Sequence, residues 1–292
     1  MIQYLTRNQL DEKKYDNCIS NAINTRIYAY SWYLDRACDD WDVLIKNDYQ
    51  YVMPLPKRKK YGFHYIYQAP WIQQLGIFSK SNIDESLILQ FINSIPRKYI
   101  LIDVFFNSMN IVKSRGVKLR DNYILELKEP YEVLRKQFSK GRKSSIKQAK
   151  NCNLTIIENY NHNEIIELFR KNKGKEIGGK GLEYDVLNKL IDHAVHLNFA
   201  KSYTIINDLE KPIGGALFLI DTNRITYLFS AINKEGRTKH AMSFLLNTII
   251  KNNSESNLIL DFEGSMIKEI ASFFKSFGAK KETYYHLKKY NI

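Results

Sequence analysis

Residues 257–280 read NLILDFEGSMIKEIASFFKSFGAK. The run Leu258-Ile259-Leu260-Asp261-Phe262 is short, apolar and closed by an acid, which predicts a strand with a carboxylate at its end. Glu263-Gly264 breaks the run, and apolar residues then recur with helical spacing at Ile267, Ile270, Phe273 and Phe274. The helix stops at Phe277-Gly278, and Tyr284-Tyr285-His286-Leu287 resumes strand character. Loops at strand ends expose side chains that packed elements hold still, so carboxylates beside a glycine turn mark a place for chemistry. Read by itself, the segment needs only Gly264 to permit the turn and Asp261 to cap the helix.

The chain around this stretch has 292 residues, which favours two domains of ordinary size over one core. We expect them at residues 1–127 and 128–292, the second carrying the main site. The hydrophobic fraction of 44% with 13% aromatics sustains real cores. No apolar run approaches the roughly 18 residues of a membrane span, and the N-terminus lacks the apolar centre of a signal peptide. A soluble, cytoplasmic protein is therefore expected. Three cysteines, Cys18, Cys38 and Cys152, are odd in number and without metal-site spacing, so reduced thiols and no metal are expected. The net charge of +13 points to an anionic partner: a phosphate-bearing substrate, RNA, or a membrane surface touched peripherally.

Towards the N-terminus, strands are predicted at Ile2 to Leu5, Trp41 to Ile45, Tyr49 to Pro56 and Phe63 to Tyr67, the last two joined by a basic turn, Lys57-Arg58-Lys59-Lys60. Helices are predicted from Asp11 to Ile23 and from about Ser81 to Ile95, then a strand buried on both faces at Tyr99 to Phe106. Residues Thr25 to Cys38 hold aromatics too dense to phase. A strand near Tyr123 to Leu127 and a helix started by Pro130 open the second half, with helical spacing that weakens around Gly141. Leu154 to Ile157 is a strand, helices follow at Asn163 to Arg170 and Tyr184 to Leu197, and Gly178-Gly179-Lys180-Gly181 lies between them as a loop or linker. Strands at Tyr203 to Asn207, Gly214 to Ile220 and Arg224 to Ser230, then a long helix from Thr238 to Ile250, lead to the opening stretch. Each half thus reads as strand, helices, antiparallel strands, helix and strand, a mixed-sheet α/β order.

Two copies of that order resemble tandem GNAT (acyl-CoA N-acyltransferase) domains, and the second half resembles the Fem-type peptidoglycan bridge aminoacyltransferases. The residues that carry the likeness are the basic helix around Arg142-Lys143-Ser144-Ser145-Ile146-Lys147-Gln148-Ala149, the Asp261-Phe262-Glu263-Gly264 segment, and Phe274-Lys275-Ser276-Phe277-Gly278. The last is similar to the family's phenylalanine-lysine-x-x-phenylalanine-glycine with one residue fewer. In the first half, Ala69-Pro70-Trp71-Ile72-Gln73-Gln74-Leu75-Gly76 resembles the family's proline-aromatic-x-glutamine segment, which implies that Trp71, Gln73 and Gln74 serve substrate binding.

The resemblance implies acyl transfer to an amine, from acyl-coenzyme A or from an aminoacyl-tRNA, onto a small molecule or a cell-envelope precursor bearing phosphate. A coenzyme A binder wants a glycine-rich loop at a helix N-terminus, where backbone N–H groups hold the pyrophosphate. Here the loop from Asn233 to Ala241 has only Gly236, with His240 where a second glycine would stand, while Arg237 and Lys239 still offer charge for a phosphate. Between Arg135 and Lys150 there are seven basic residues and no acid. Helical spacing sets Lys136, Lys140, Lys143 and Lys147 on one face, where they repel one another unless an anion is near. Arg142, Lys143 and Lys147 are thus candidate anion ligands. The resemblance places Lys275 beside the reacting acyl group as an electrostatic stabiliser, with Asp261 and Glu263 as proton acceptors and Tyr284 or Tyr285 as donor to the leaving group. No cysteine or serine triad is apparent. The other reading is a degenerate GNAT-like fold that binds an anionic ligand or nucleic acid without catalysis.

Overall fold

The computed structural model describes residues 1–158, 161–172, 181–264 and 266–291. Its elements begin with β1 (Ile2–Thr6), α1 (Glu12–Ser20), α2 (Ser31–Ala37), β2 (Asp40–Lys46), β3 (Tyr51–Lys60), β4 (Phe63–Ile66) and β5 (Phe78–Ser79). There follow α3 (Glu85–Asn93), β6 (Tyr99–Phe106), β7 (Val117–Glu126), α4 (Tyr131–Lys136), α5 (Lys140–Lys150), β8 (Thr155–Glu158), α6 (His162–Asn172) and α7 (Gly181–His196). The remainder is β9 (Ala200–Ile206), β10 (Pro212–Ile220), β11 (Arg224–Ile232), α8 (Lys234–Thr238), α9 (Ala241–Asn252), β12 (Ile259–Asp261), α10 (Lys268–Lys275) and β13 (Lys280–Tyr290). The loop expected at Gly178 to Lys180 lies outside the described residues.

Two compact units divide the chain: Met1–Asp121 with Glu282–Ile292, and Asn122–Lys281. The expected cut at 127/128 ignored the C-terminal strand, which returns to the first unit because β13 pairs with β6 from Tyr285 opposite Phe106 to Tyr290 opposite Leu101.

In the first unit the strand order is β1-β2-β3-β4-β6-β13, with β5 beside β3. The pairs are antiparallel except β4 with β6. Helix α3 starts at Asp84, whose carboxylate accepts the N–H of Leu87 at 2.7 Å, and it buries Leu87, Ile88, Phe91 and Ile92 against Leu55, Ile102, Val104 and Phe106. Lys57 to Lys60, expected as a turn, extend β3 and pair with Ile66 to Phe63 of β4; the turn sits at Tyr61-Gly62, both at positive φ. The aromatic segment that could not be phased holds α2. Strand β6 is not buried on both faces: Ile102, Val104 and Phe106 enter the core, while Leu101, Asp103 and Phe105 are half-buried on the other face.

The second unit, which takes β7 from Asn122 onward while Val117 to Asp121 belong to the first, orders its strands β7-β12-β11-β10-β9-β8, antiparallel but for the parallel pair β11–β12. Strand β10 reads PIGGALFLI and is buried from Ile213 to Leu219, which explains its unbroken apolar run. Gly236 allows α8 to lie directly on β10, since a Cβ there would stand 2.4 Å from the Ile213 carbonyl oxygen. Two predicted helices are broken in two. The first breaks where Ser139 caps α5, its hydroxyl accepting the Arg142 N–H at 3.1 Å, two residues before Gly141. The second breaks at His240, a non-glycine in the left-handed region with φ 53°.

Candidate functional site

The second unit brings three separately read segments together around Arg142. Its Nε donates to Ser276 Oγ at 2.9 Å, and a terminal nitrogen donates to the hydroxyl of Ser243 in the first turn of α9. The guanidinium carbon lies 4.3 Å from the ring centre of Phe273 and 4.7 Å from that of Phe277, a stacked cation–π arrangement. Arg142 is half-buried, and no carboxylate among the described residues pairs with it. Burial therefore pulls its pKa down from the usual range to about 10, still a cation at neutral pH. A desolvated guanidinium that meets only hydroxyls and rings lacks the acceptor its remaining N–H groups would best fit, an oxyanion.

The turn that supplies Ser276 is built by the Phe274 to Gly278 motif. Phe277 N donates to Phe274 O at 3.0 Å and Gly278 N to Lys275 O at 2.9 Å, with Gly278 at φ 81° ending the helix. A side chain at Gly278 would collide with Gln137, 2.8 Å from its Cβ. Ser139 N donates to Ser276 O at 2.9 Å, which ties this turn to the cap of α5. Phe274 and Phe277 stack on Phe262, holding the end of β12 against the same helix.

Lys275 ends α10 and is exposed, its ammonium 5.3 Å from the ring centre of Tyr123 and without an ion-pair partner among the described residues. Tyr123 O in turn accepts the N–H of Phe262 at 3.0 Å. Lys275 thus stands over the residue that pairs with the Asp261-Phe262-Glu263 segment.

The acids divide. Asp261 is buried and spends its carboxylate internally: Oδ2 faces Arg224 Nη1 at 2.5 Å and Oδ1 accepts the Glu263 N–H at 2.9 Å. Both carboxylate oxygens are thus taken up within the chain, and its placement makes it an anchor for the strand end. Glu263 is half-buried and takes the left-handed conformation, φ 51°. A non-glycine held there is the kind of backbone strain that concentrates at functional sites.

In the loop before α9, Asn233 caps α8 by accepting the Gly236 N–H at 2.8 Å. Lys239 is engaged by Glu235 at 2.9 Å and Asp208 at 3.4 Å, whereas Arg237 is exposed and without an ion-pair partner among the described residues. His240 offers no side-chain cap to α9, and its Nε2 meets Gln148 Oε1 of α5 at 3.2 Å. On α5, Lys143 donates to the Lys136 carbonyl at 3.0 Å and Lys147 is exposed. The expected row with Lys136 is interrupted by the break between α4 and α5. Cys152 and His162 do not form a pair: the thiol donates to Gln148 O at 3.4 Å, and His162 faces Asp192 at 3.3 Å.

Four expected residues belong to the first unit. Gln74 is fully buried and accepts the Ser108 N–H at 3.3 Å, and Gln73 accepts from Gln74 Nε2 at 2.7 Å. Trp71 is half-buried at φ 61°, its carbonyl taken by the Tyr33 hydroxyl. Tyr285 packs against that unit's core. These placements explain a braced loop and a packed strand. Ser243, Ser276, Phe273 and Phe277 are what the sequence reading missed at Arg142; the serine within Phe274 to Gly278 was the available signal.

No family model and no curated protein matches the chain. Solved structures do. FemX superposes with a TM-score of 0.71 over 97% of this chain and 96% of its own, at 12% identity. A conserved protein of unknown function from Bacteroides thetaiotaomicron gives 0.63 over 99% and 100%, at 11% identity. The C-terminal domain of a putative lysylphosphatidylglycerol synthetase from Agrobacterium fabrum gives 0.58 over 94% and 90%, at 10% identity. At such identities the likeness speaks of architecture alone: the chain shares the mixed α/β fold of FemX.

Proposed function

We propose that this chain transfers an acyl or aminoacyl group from an activated, phosphate-bearing donor to an amine, with Arg142 seating an anionic group and Lys275 stabilising the oxyanion. The observation that carries the reading is Arg142 itself, a half-buried guanidinium held by Ser276 and Ser243 with no carboxylate to neutralise it. The first turn of α9 beside it adds backbone N–H groups of the same polarity. Arg237 and Lys147 supply further exposed charge for the donor's phosphates.

In the reaction the neutral amine attacks the acyl carbon, a C–N bond forms, and the carbonyl oxygen becomes an oxyanion facing the Lys275 ammonium. Glu263 accepts the proton that the attacking nitrogen loses, and collapse breaks the C–S or C–O bond to the leaving group, which takes the proton back. Asp261 acts as a positioning residue, fixing Glu263 through its backbone. Both acyl-coenzyme A and aminoacyl-tRNA fit this chemistry as donors. The neighbour named for lysylphosphatidylglycerol joins, by its name, an aminoacyl group to an anionic lipid, so an envelope component bearing phosphate is the acceptor class to test first.

The test is a transfer assay with acetyl-coenzyme A and with lysyl-tRNA as donors, against amine-bearing envelope precursors and amine-bearing phospholipids, in wild type and in Lys275→Ala. Turnover that collapses in the variant supports the reading. Turnover equal in both removes Lys275 from the reaction, and tight donor binding without any transfer replaces the reading with a non-catalytic anion-binding module.

A further inference from the structure

We propose that the first unit carries a second, proton-coupled seat for an oxyanion, made by Arg120 of β7 and His286 of β13 with Asp103 of β6 behind the imidazole. The alternation of β13 makes it: Tyr285 and Leu287 face the core, which sends His286 and Lys288 to the other side of the sheet, where β6 presents Asp103 and Phe105. His286 Nε2 lies 2.7 Å from Asp103 Oδ1, and Arg120 Nη2 lies 3.4 Å from His286 Nδ1. A guanidinium only donates, so Nδ1 is the acceptor and the proton of the neutral ring sits on Nε2, pointing at Asp103. Phe105, its ring centre 4.2 Å away, packs against the imidazole and holds its orientation.

Arg120 is the incomplete partner. It is half-buried, its Nε is shut off from solvent without a hydrogen-bond partner among the described residues, and its guanidinium carbon lies 5.8 Å from the ring centre of Phe105. The guanidinium's one hydrogen bond among the described residues, to a ring nitrogen at 3.4 Å, is long and weak. Among the described residues the charged groups on the imidazole are Asp103 from β6 and Arg120 from β7, and Lys288 of β13 itself reaches the same Asp103 at 3.4 Å. Two cations thus stand against one carboxylate while the ring is neutral. An arriving phosphate or carboxylate oxygen takes the free N–H groups of Arg120 and frees the Nδ1 lone pair. The ring then binds a proton at Nδ1, becomes a second donor to the anion, and is balanced by Asp103 at Nε2. Anion binding and proton uptake by His286 are one event. The seat does not depend on the transferase reading, because it uses none of the residues placed there.

The experiment titrates the full chain with inorganic phosphate and, separately, with acetate, following histidine ring nitrogens by NMR with His286→Gln assigning the signal. Calorimetry runs alongside between pH 5.5 and 8. Either anion should move the Nδ1 resonance from unprotonated to protonated, with proton uptake on binding and affinity falling as pH rises. Arg120→Gln should weaken binding about tenfold, and His286→Gln should leave a weaker binding that no longer depends on pH. Arg120→Lys keeps the charge for the case in which glutamine disturbs β7. A response to phosphate alone assigns the seat to phosphate esters, and a response to acetate alone assigns it to carboxylates. A His286 signal unmoved by both anions in the wild-type protein overturns the proposal whatever the variants do, as does wild-type affinity in folded Arg120→Gln.

Discussion

Arg142 and Ser276 are joined side chain to side chain at 2.9 Å across 134 residues of sequence, so the basic helix and the turn that follows Lys275 are one piece of structure. Whatever anion the helix recruits is presented to the turn. That coupling separates the cost of the arginine to the fold from its value to a ligand.

Replacing Arg142 with methionine tests the separation. Burial without a carboxylate disfavours the cation, and the flexible thioether can occupy the same slot against Phe273 and Phe277. Thermal stability is expected to hold or rise, while affinity for the phosphate-bearing donor falls about tenfold to a hundredfold, as for the loss of a charge-assisted contact. Thermal unfolding and calorimetry on the same sample decide it. Wild-type affinity in a folded variant removes Arg142 from the site.

Lys275 is exposed at a helix end, so its truncation should change stability by no more than about 0.5 kcal/mol. If its ammonium meets the developing oxyanion, alanine lowers kcat about a hundredfold or more with little change in KM. Arginine keeps the charge but spreads it over a larger group and should restore only part of the rate. Steady-state kinetics with both donors give the answer, and an unchanged kcat in Lys275→Ala discards the role.

Much of this architecture is legible in the sequence because a buried strand keeps an apolar run, as in β2, and a helix with one buried face keeps the 3.6 period, as in α3. The misreadings have physical causes. Lys57 to Lys60 look like a turn because charge is dense there, yet their backbone completes a ladder with β4. The break at His240 carries no glycine or proline to announce it. The site is harder still. Short motifs point to Lys275 and Arg142, but whether an acid is free depends on a partner far off in sequence: Asp261 looks like a base until Arg224, 37 residues earlier, is found against it.

That ion pair makes a prediction opposite to a catalytic one. Both side chains are buried, so Asp261→Ala takes the carboxylate away from a buried cation and should cost about 3–5 kcal/mol, measured by urea unfolding. Adding Arg224→Met should recover a large part of the loss. A variant Asp261→Ala that is as stable as wild type and inactive would instead restore Asp261 to the role of proton acceptor.

Acid sensitivity should trace to Asp42 in the first unit. Burial alone would push its carboxyl up, but Lys57 Nζ at 2.7 Å, the Tyr4 hydroxyl and the Tyr99 hydroxyl at 2.9 Å outweigh burial and hold it below the ordinary carboxylate value. A folded pKa below the unfolded one gives stability that is present above the unfolded value, near 4, and is lost as pH falls through the folded one. At pH 7, Asp42→Asn should cost about 2–4 kcal/mol, since it leaves Lys57 facing a neutral group in a buried network. The gap between wild type and Asp42→Asn should then narrow below about pH 4, because protonation does to the wild type what the substitution has already done. Urea unfolding at pH 7, 5 and 3 measures it, and a gap that stays constant down to pH 3 means that folding does not lower the Asp42 carboxyl, which discards this account.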